Sequence, residues 1–379
     1  MPDTIAIFLP SLHGGGAERV MLSLAKGFTD KGYYVHLVLA EAKGPYLDQV
    51  PPDVKIVNLN ASRVLFSLPA LIRYMSNYQP DYCLSALTHA NIAAVWAAAL
   101  AGAKTRVVVS ERNIIRPDSS SYFRTKLFNL LMKYSYGKAH AVTAVSDGVA
   151  NDLTSIVKIP QEKVHVIYNP VNEEALTYPT EVPHPWLKTE LPPVIIAAGR
   201  FTEQKDFETL IKAFAAVRKN HEARLILLGE GERRQEYEKL LKNLGLQEHV
   251  AMPGFVEHPY SYMKYAAVYV LSSKWEGLPN VLIEALAYGI PIVATDCHSG
   301  PKEILKDGKY GLLVPVGNKE RLAEAIEMQL RNPKYINTRE AIAPFNFDDI
   351  VRRYLAVLTG DKPCSRCLNK GLMDRGHRQ

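Results

Sequence analysis

Short apolar runs alternate with segments of helical periodicity along almost the whole chain. In the first half, runs near residues 5–9, 35–39, 54–59, 82–87, 106–110, 141–145 and 164–168 predict strands, and helical patterns fall near 18–28, 91–100, 123–136 and 148–155. The second half restarts the rhythm, with strands near 194–198, 224–228, 249–252, 268–271 and 292–295 and helices near 207–219, 233–244, 280–288 and 319–330. Most strand-like runs are apolar throughout rather than alternating. Strands of that kind are buried on both faces, and with helices between them they form parallel, doubly wound sheets. The stretch 172–193 breaks the rhythm with Pro179, Pro183, Pro185, Pro192 and Pro193, as a linker does. We therefore expect an N-terminal domain over 1–175 with a linker to about 193, a C-terminal domain over 194–345, a terminal amphipathic helix within 346–360 and a flexible tail over 361–379. Two such domains facing one another would leave a crevice at the carboxyl ends of their strands, where ligands bind in α/β folds.

Composition narrows the class. A chain of 379 residues, 47% hydrophobic and 22% charged, suits about two globular domains. No stretch approaches the roughly 18 apolar residues of a membrane span. The first apolar run is too short, and too close to Asp3, for a signal peptide, so a cytoplasmic location is expected. Cys83 and Cys297 sit in or beside apolar runs and read as inert. Cys364 and Cys367 form a C-x-x-C followed by His377, but no second pair completes a zinc site, so no metal is expected.

The net charge of +6 is concentrated in residues 104–138, where eight basic and two acidic side chains account for all of it. Tyr122, Phe123, Leu127, Leu130, Leu131 and Tyr134 recur there at helical spacing among the cations. Two readings stand: a basic amphipathic helix lying on an anionic membrane surface, or a helix packing its apolar stripe on its own domain. No nucleic-acid-binding module accompanies the charge.

Candidate chemistry centres on Glu276 and Glu284, with seven residues between them in Trp275-Glu-Gly-Leu-Pro-Asn-Val-Leu-Ile-Glu284. Pro279 suits a helix start and Gly289 its end, which places Glu276 in the preceding loop and Glu284 inside the helix. Val281, Leu282, Ile283, Ala285 and Leu286 surround Glu284 with the composition of a buried helix, where an acid needs a partner. Two carboxylates so placed can grip hydroxyls on two parts of one ligand, with helix N–H groups aimed at an anion between them. A sugar nucleotide has that order of parts. Upstream, Arg200 and Lys205 flank a loop after a strand and could neutralise a diphosphate leaving group. Gly229, Gly254 and Phe255 end neighbouring strands and could frame a nucleobase. The turn His13-Gly14-Gly15-Gly16 after the first strand allows close backbone approach to a phosphate or sugar. It lacks the G-x-G-x-x-G spacing, which disfavours NAD.

Taken in order, G-R-x4-K, L-x-G-E-G, G-F, E-G-L-P-N-x3-E-A-x3-G and P-x-V-A-T-D resemble the retaining, nucleotide-sugar-dependent glycosyltransferases of family 4, with the GT-B fold of two Rossmann-like domains facing across a crevice. The resemblance covers nearly the whole chain, including Ala144-Val-Ser-Asp-Gly-Val and Val166-Ile-Tyr-Asn-Pro-Val. It implies that Arg200 and Lys205 hold the donor diphosphate and Glu284 the ribose. It assigns the donor sugar's hydroxyls to Glu276 and to backbone N–H groups from Gly277 to Asn280; Leu278 and Val281, and Gly15 and Gly16 of the glycine turn, are further donor-site candidates. It also implies a terminal helix that crosses back to the first domain. The implied reaction is a front-side displacement with no protein nucleophile, in which the departing phosphate takes the acceptor proton and charge stabilisation does most of the work. Arg200 and Lys205 would then stand in for a divalent cation, and no cofactor is expected.

Thr88-His89-Ala-Asn91 follows a strand, where family members place a histidine near the sugar, so His89 is a catalytic candidate and His298 a second helper. Arg112 and Arg116 could meet an acceptor phosphate or be plain surface charges. With the basic window they favour a polyprenyl-diphosphate-linked glycan at the inner membrane face. Cys297-His-Ser-Gly-Pro-Lys-Glu303 resembles a run in enzymes of surface polysaccharide and lipid-linked oligosaccharide synthesis, where UDP-linked galactose or N-acetylgalactosamine is common. Transfer to a soluble acceptor and a UDP-sugar 2-epimerase are the alternatives.

Overall fold

The computed structural model describes residues 2–115, 122–171, 181–188, 192–256 and 258–360. The chain divides into two compact units, Met1–Pro170 with Phe347–Gln379, and Val171–Asn346. In the first unit the elements run β1 (Thr4–Leu9), α1 (Gly16–Asp30), β2 (Tyr34–Leu39), β3 (Val54–Asn58), α2 (Val64–Tyr78), β4 (Tyr82–Ala86), α3 (Thr88–Leu100), β5 (Arg106–Glu111), α4 (Tyr122–Lys138), β6 (Ala141–Ala144), α5 (Asp147–Asp152) and β7 (Val164–Val166). In the second unit they run β8 (Val194–Ala198), α6 (Phe207–Val217), β9 (Arg224–Leu228), α7 (Arg234–Leu244), β10 (Val250–Gly254), α8 (Tyr260–Met263), β11 (Val268–Leu271), α9 (Asn280–Tyr288), β12 (Ile292–Thr295), α10 (Pro301–Ile304), β13 (Leu312–Val314), α11 (Lys319–Arg331) and α12 (Thr338–Ile342). A last helix, α13 (Phe347–Thr359), belongs to the first unit.

Both units are Rossmann-like. The first holds a parallel sheet of order β3-β2-β1-β4-β5-β6-β7, and the second one of order β10-β9-β8-β11-β12-β13. Central strands β4 and β8 are buried at every position, whereas the edge strand β3 mixes buried and exposed residues. That contrast follows from helices covering both faces of the sheet centre. Burying each Leu, Ile or Val of these strands is worth about 1.5–3 kcal/mol relative to exposure, so the apolar runs drive the layering. In the first unit α13 joins the same core: Ile350, Val351, Tyr354 and Leu358 pack with Ile5, Leu24 and Val35. Gly27 permits that approach, because a Cβ there would lie 2.5 Å from Val351 Cγ2. Arg106 Nε also donates to the Leu358 carbonyl at 3.0 Å.

Three local differences from the sequence pattern bear on the site. Strand β4 stops at Ala86 rather than continuing through Leu87, which has φ of +77°. Helix α3 begins at Thr88, three residues before the periodic stretch, and so includes His89. Helix α2 has no counterpart in the pattern, because Pro69 lies inside it. The N–H that Pro69 lacks would have reached the carbonyl of Leu65, an exposed residue, so water can satisfy it. Among the described residues no helix is long and apolar enough to cross a membrane.

Candidate functional site

In the second unit, the loops that leave β8, β9 and β10 are joined edge to edge. Gly199 N–H donates to the Leu228 carbonyl at 2.9 Å, Phe201 N–H to Glu230 at 2.8 Å, and Gly229 N–H to Gly254 at 2.8 Å. Only glycine fits at 229, since a Cβ would fall 1.9 Å from the Gly199 carbonyl oxygen. Arg200 and Phe255 are exposed beside this seam, and Gly254 is buried in it. The predicted group Arg200, Gly229, Gly254 and Phe255 therefore gathers along the carboxyl ends of three neighbouring strands.

Lys205 and Glu276 meet directly. Lys205 Nζ lies 2.6 Å from Glu276 Oε1, with both side chains largely buried. Ser273 Oγ donates to the same oxygen at 2.6 Å. Gln204 Nε2 donates to Glu276 Oε2 at 3.3 Å and to the Trp275 carbonyl at 3.0 Å. Glu276, 5% exposed, thus sits in a polar cradle made by two loops, which are also joined by Lys274 N–H to the Gln204 carbonyl at 2.8 Å.

The end of β12 and the loop after it brace this arrangement. Thr295 Oγ1 donates to the Ser273 carbonyl at 2.6 Å, and Ser299 Oγ to the Gly277 carbonyl at 2.8 Å. Gly300, at φ of +93°, backs onto Pro279 so closely that a Cβ would lie 2.7 Å from Pro279 Cδ. Beyond Pro279, α9 carries Glu284, 3% exposed, among buried Leu282, Ile283, Ala285 and Leu286. Gly277, Leu278, Asn280 and Val281 precede or open the helix, at the positive end of its dipole. Gly289 ends it in the left-handed conformation. The Tyr269 phenol on β11 feels both acids: burial first, then the charges of Glu284 and Glu276, push its pKa well above the ordinary value. Burial, and after it Glu276, raise the Cys297 thiol to about 12, so it is inert at neutral pH. His298, by contrast, is exposed.

In the first unit, Gly15 is the residue before α1 and Gly16 its first residue. His89 is exposed on the first turn of α3, its ring 5.7 Å from that of Phe128 on α4. Arg112 is buried, which corrects the plain surface-charge reading: its guanidinium donates to Ser110 Oγ at 3.3 Å and to Asn169 Oδ1. Arg116 lies outside the described residues, as do Cys364 and Cys367. Helix α4 turns Met132 and Tyr136 inward and leaves Leu127, Leu130, Leu131 and Tyr134 exposed at 42–62%, beside exposed Lys126 and Lys133. Of the stripe that the sequence offered for internal packing, these four residues therefore face solvent, while the side chains of Tyr122 and Phe123 lie outside the described residues.

Sequence reasoning did not single out Gln204, Ser273, Thr295 or Tyr269. Nor did it identify Glu111, whose buried carboxylate receives the Tyr136 hydroxyl at 2.7 Å and the Thr88 hydroxyl at 3.1 Å. Three of these carried a signal: Gln204 adjoins Lys205 in the G-R-x4-K run, Thr295 is the threonine of P-x-V-A-T-D, and Glu111 directly precedes Arg112.

Comparison with known proteins fits both halves. Residues 14–175 match the family model described as Glycosyltransferase Family 4, and residues 180–346 the model described as Glycosyl transferases group 1. The chain is 31% identical over 345 residues to N-acetylgalactosamine-N,N'-diacetylbacillosaminyl-diphospho-undecaprenol 4-alpha-N-acetylgalactosaminyltransferase of Campylobacter jejuni, covering 87% of this chain and 91% of that one. It is 26% identical to a second Campylobacter jejuni enzyme, a GalNAc-alpha-(1->4)-GalNAc-alpha-(1->3)-diNAcBac-PP-undecaprenol alpha-1,4-N-acetyl-D-galactosaminyltransferase, over 93% of this chain and 98% of that one. Among solved structures, Anabaena HepE in complex with UDP superposes with a TM-score of 0.78 at 20% identity, over 94% of this chain and all of that one.

Proposed function

The chain belongs to the group 1, family 4 glycosyltransferases, with their GT-B fold, and on that premise we propose that it moves a hexose or N-acetylhexosamine from a UDP-sugar to a polyprenyl-diphosphate-linked glycan, with retention at the anomeric carbon. The observation that carries the reading is the 2.6 Å contact of Lys205 with Glu276 beside the start of α9. A cation and an acceptor-only carboxylate share one small buried volume there. An incoming diphosphate would take over the charge of Lys205, together with exposed Arg200, and release the Glu276 oxygens to accept hydrogen bonds from the sugar hydroxyls. The backbone N–H groups of Gly277, Leu278 and Asn280 would face the same sugar, and Glu284 the ribose.

As the C1–O bond to the diphosphate breaks, the acceptor oxygen bonds to C1 on the same face, and the leaving phosphate oxygen takes its proton. Charge on the departing diphosphate is met by Arg200 and Lys205, so this route calls on no divalent cation or other cofactor. His89 is proposed as a helper in the transfer, and Arg112 and Arg116 as residues that recognise the acceptor phosphates.

The donor is proposed as UDP-linked galactose or N-acetylgalactosamine, supported by the two relatives that transfer N-acetylgalactosamine. Those relatives act on undecaprenol-diphosphate-linked glycans, which supports the lipid-linked acceptor. The exposed leucines and lysines of α4 support a cytoplasmic enzyme held peripherally on the anionic inner face of the membrane. A UDP-release screen across common UDP-sugars, with and without polyprenyl-diphosphate-linked acceptors, tests the proposal, with the anomeric configuration of the product read by NMR. Release that never depends on a lipid-linked acceptor would overturn the acceptor, and an inverted product would overturn retention.

A further inference from the structure

We infer that Glu111 is a positioning residue for the acceptor side of the transferase, its buried carboxylate tying the turn that carries His89 to the turn that carries Arg112. The inference rests on the transferase reading and assigns a role to a residue that touches neither substrate.

Two turns leave the sheet side by side. The first runs from β4 to α3 through Leu87, whose φ of +77° is one that side-chain-bearing residues rarely adopt and that must be held by its surroundings. The second follows β5, where Glu111 is the last strand residue. Glu111 is 1% exposed and receives donors from both turns. Thr88 Oγ1 reaches both of its oxygens at 3.1 Å, across 23 residues of sequence. The Arg112 N–H reaches Oε1 at 3.2 Å, and the Asn113 N–H also bonds to the carboxylate.

A third element completes the tie. Tyr136 of α4 donates to Glu111 Oε2 at 2.7 Å and accepts from Asn91 Nδ2 at 2.9 Å. Asn91 also donates to the Ser110 carbonyl at 2.9 Å and accepts from Ser85 Oγ at 2.8 Å. The donors therefore run in one direction, from Ser85 through Asn91 and Tyr136 to the carboxylate. An acceptor-only group fits the end of such a chain. Burial pushes the Glu111 pKa up, and the Tyr136 and Thr88 hydroxyls with the Arg112 and Asn113 amides oppose it. An apolar side chain would fill this space without the desolvation cost of an acid. What the acid supplies is simultaneous hold on three elements. His89 follows Thr88 directly and rests on Phe128 of α4, so the helix that bears Tyr136 also backs the histidine ring.

Thr88→Val, Glu111→Gln, the double variant and Thr88→Ser test this, using acceptor-dependent UDP release, UDP affinity by calorimetry and amide hydrogen exchange. Thr88→Val and Glu111→Gln are each expected to lower kcat about 10- to 100-fold, the scale of a small misplacement of reacting groups. UDP affinity should stay within about twofold, and the double variant should be no worse than the poorer single one, because Thr88→Val removes a donor to the same carboxylate that Glu111→Gln replaces. Thr88→Ser should return kcat to within about threefold of wild type, since its hydroxyl can remake the bond. In Glu111→Gln the amides of residues 88–91 and 112–115 should exchange faster together. Unchanged exchange in both turns overturns the inference, as do single variants with wild-type kcat or losses that multiply in the double variant. A wild type without acceptor-dependent UDP release would fail the transferase reading alone, and the exchange of the two turns would still decide for or against Glu111.

Discussion

Replacing Lys205 with methionine keeps the aliphatic stem and removes the cation 2.6 Å from a Glu276 side chain that is only 7% exposed. Two unit charges at that separation attract by about 6 kcal/mol at an effective dielectric of about 20, most of which offsets the cost of taking both out of water. With one partner gone the desolvation cost remains, and breaking such a pair typically costs about 3–5 kcal/mol. Hydrogen bonds from Ser273 and Gln204 survive and soften the penalty, so we expect the lower end, about 3 kcal/mol. That is a large share of the ~5–15 kcal/mol that holds an ordinary domain together. Glu276→Gln in the same background removes the stranded charge while its amide oxygen still accepts from Ser273. The double variant should therefore regain about 2 kcal/mol.

Guanidinium unfolding followed by the fluorescence of Trp275, next to the pair, measures the cycle. Amide exchange across residues 192–256 and 258–346 guards against the two units unfolding separately. Single effects that simply add in the double variant, within about 0.5 kcal/mol, would refute the coupling and with it the idea that Lys205 balances Glu276 before donor arrives. The cycle also bears on activity. Lost transfer in Lys205→Met would mix lost diphosphate binding with lost stability. The restabilised double variant separates the two, and its UDP affinity should stay low.

Three further outcomes are expected. Gly300→Ala adds a Cβ at 2.7 Å from Pro279 Cδ on a backbone with φ of +93°, so it should cost about 1–3 kcal/mol and raise the KM for the UDP-sugar; unchanged melting and KM would sever the brace from the donor loop. Because burial raises the Glu111 pKa, its contribution to stability is fully present below the unfolded value of about 4.3 and is lost as pH rises through the folded one. The melting-temperature difference between wild type and Glu111→Gln should therefore move in favour of wild type as pH falls from 7 towards 4.5, and a flat or opposite trend contradicts the assignment. Leu130→Ser with Leu131→Ser, both exposed on α4, should weaken sedimentation with anionic vesicles several-fold while leaving the melting temperature within about 2 °C, and equal binding would remove α4 from the membrane contact.

The sheets were readable because their strands are short, uninterrupted apolar runs, and runs such as Ile195–Ala197 leave no solvent-facing alternative. Order along the chain then implied parallel pairing, and the resemblance supplied the GT-B name. Helix α2 escaped because Pro69 reads as a breaker, and β13, three residues long, was passed over although β7 of the same length was read. At the site, Glu284 stood out because an acid among Val, Leu and Ile residues has to be explained, and Glu276 through its place in the loop before the same helix. Glu111 did not, since an acid closing an apolar strand looks like the strand's exit to water. Its meaning depends on Thr88, 23 positions before it, and Tyr136, 25 positions after it, and only folding brings those together. Gln204 and Ser273 were hidden for the same reason: a polar loop residue is ordinary until a buried carboxylate lies within hydrogen-bonding distance of it.

Two of the buried acids, Glu276 and Glu111, are compensated in opposite ways, and the difference separates their roles. Glu276 is balanced by one cation on a flexible stem, helped by two side-chain donors. Such a balance can be exchanged, because an anionic diphosphate competes for the same lysine and sugar hydroxyls can replace it on the carboxylate. Glu111 is balanced by hydroxyls and backbone amides fixed on α3, α4 and the end of β5. No ligand can take their place without opening the fold around them. An acid held by a movable charge suits a group that must meet a substrate. An acid held by neutral donors on three elements suits one that must keep them in register, and for that reason substitutions at Glu276 should register in donor binding and those at Glu111 in turnover.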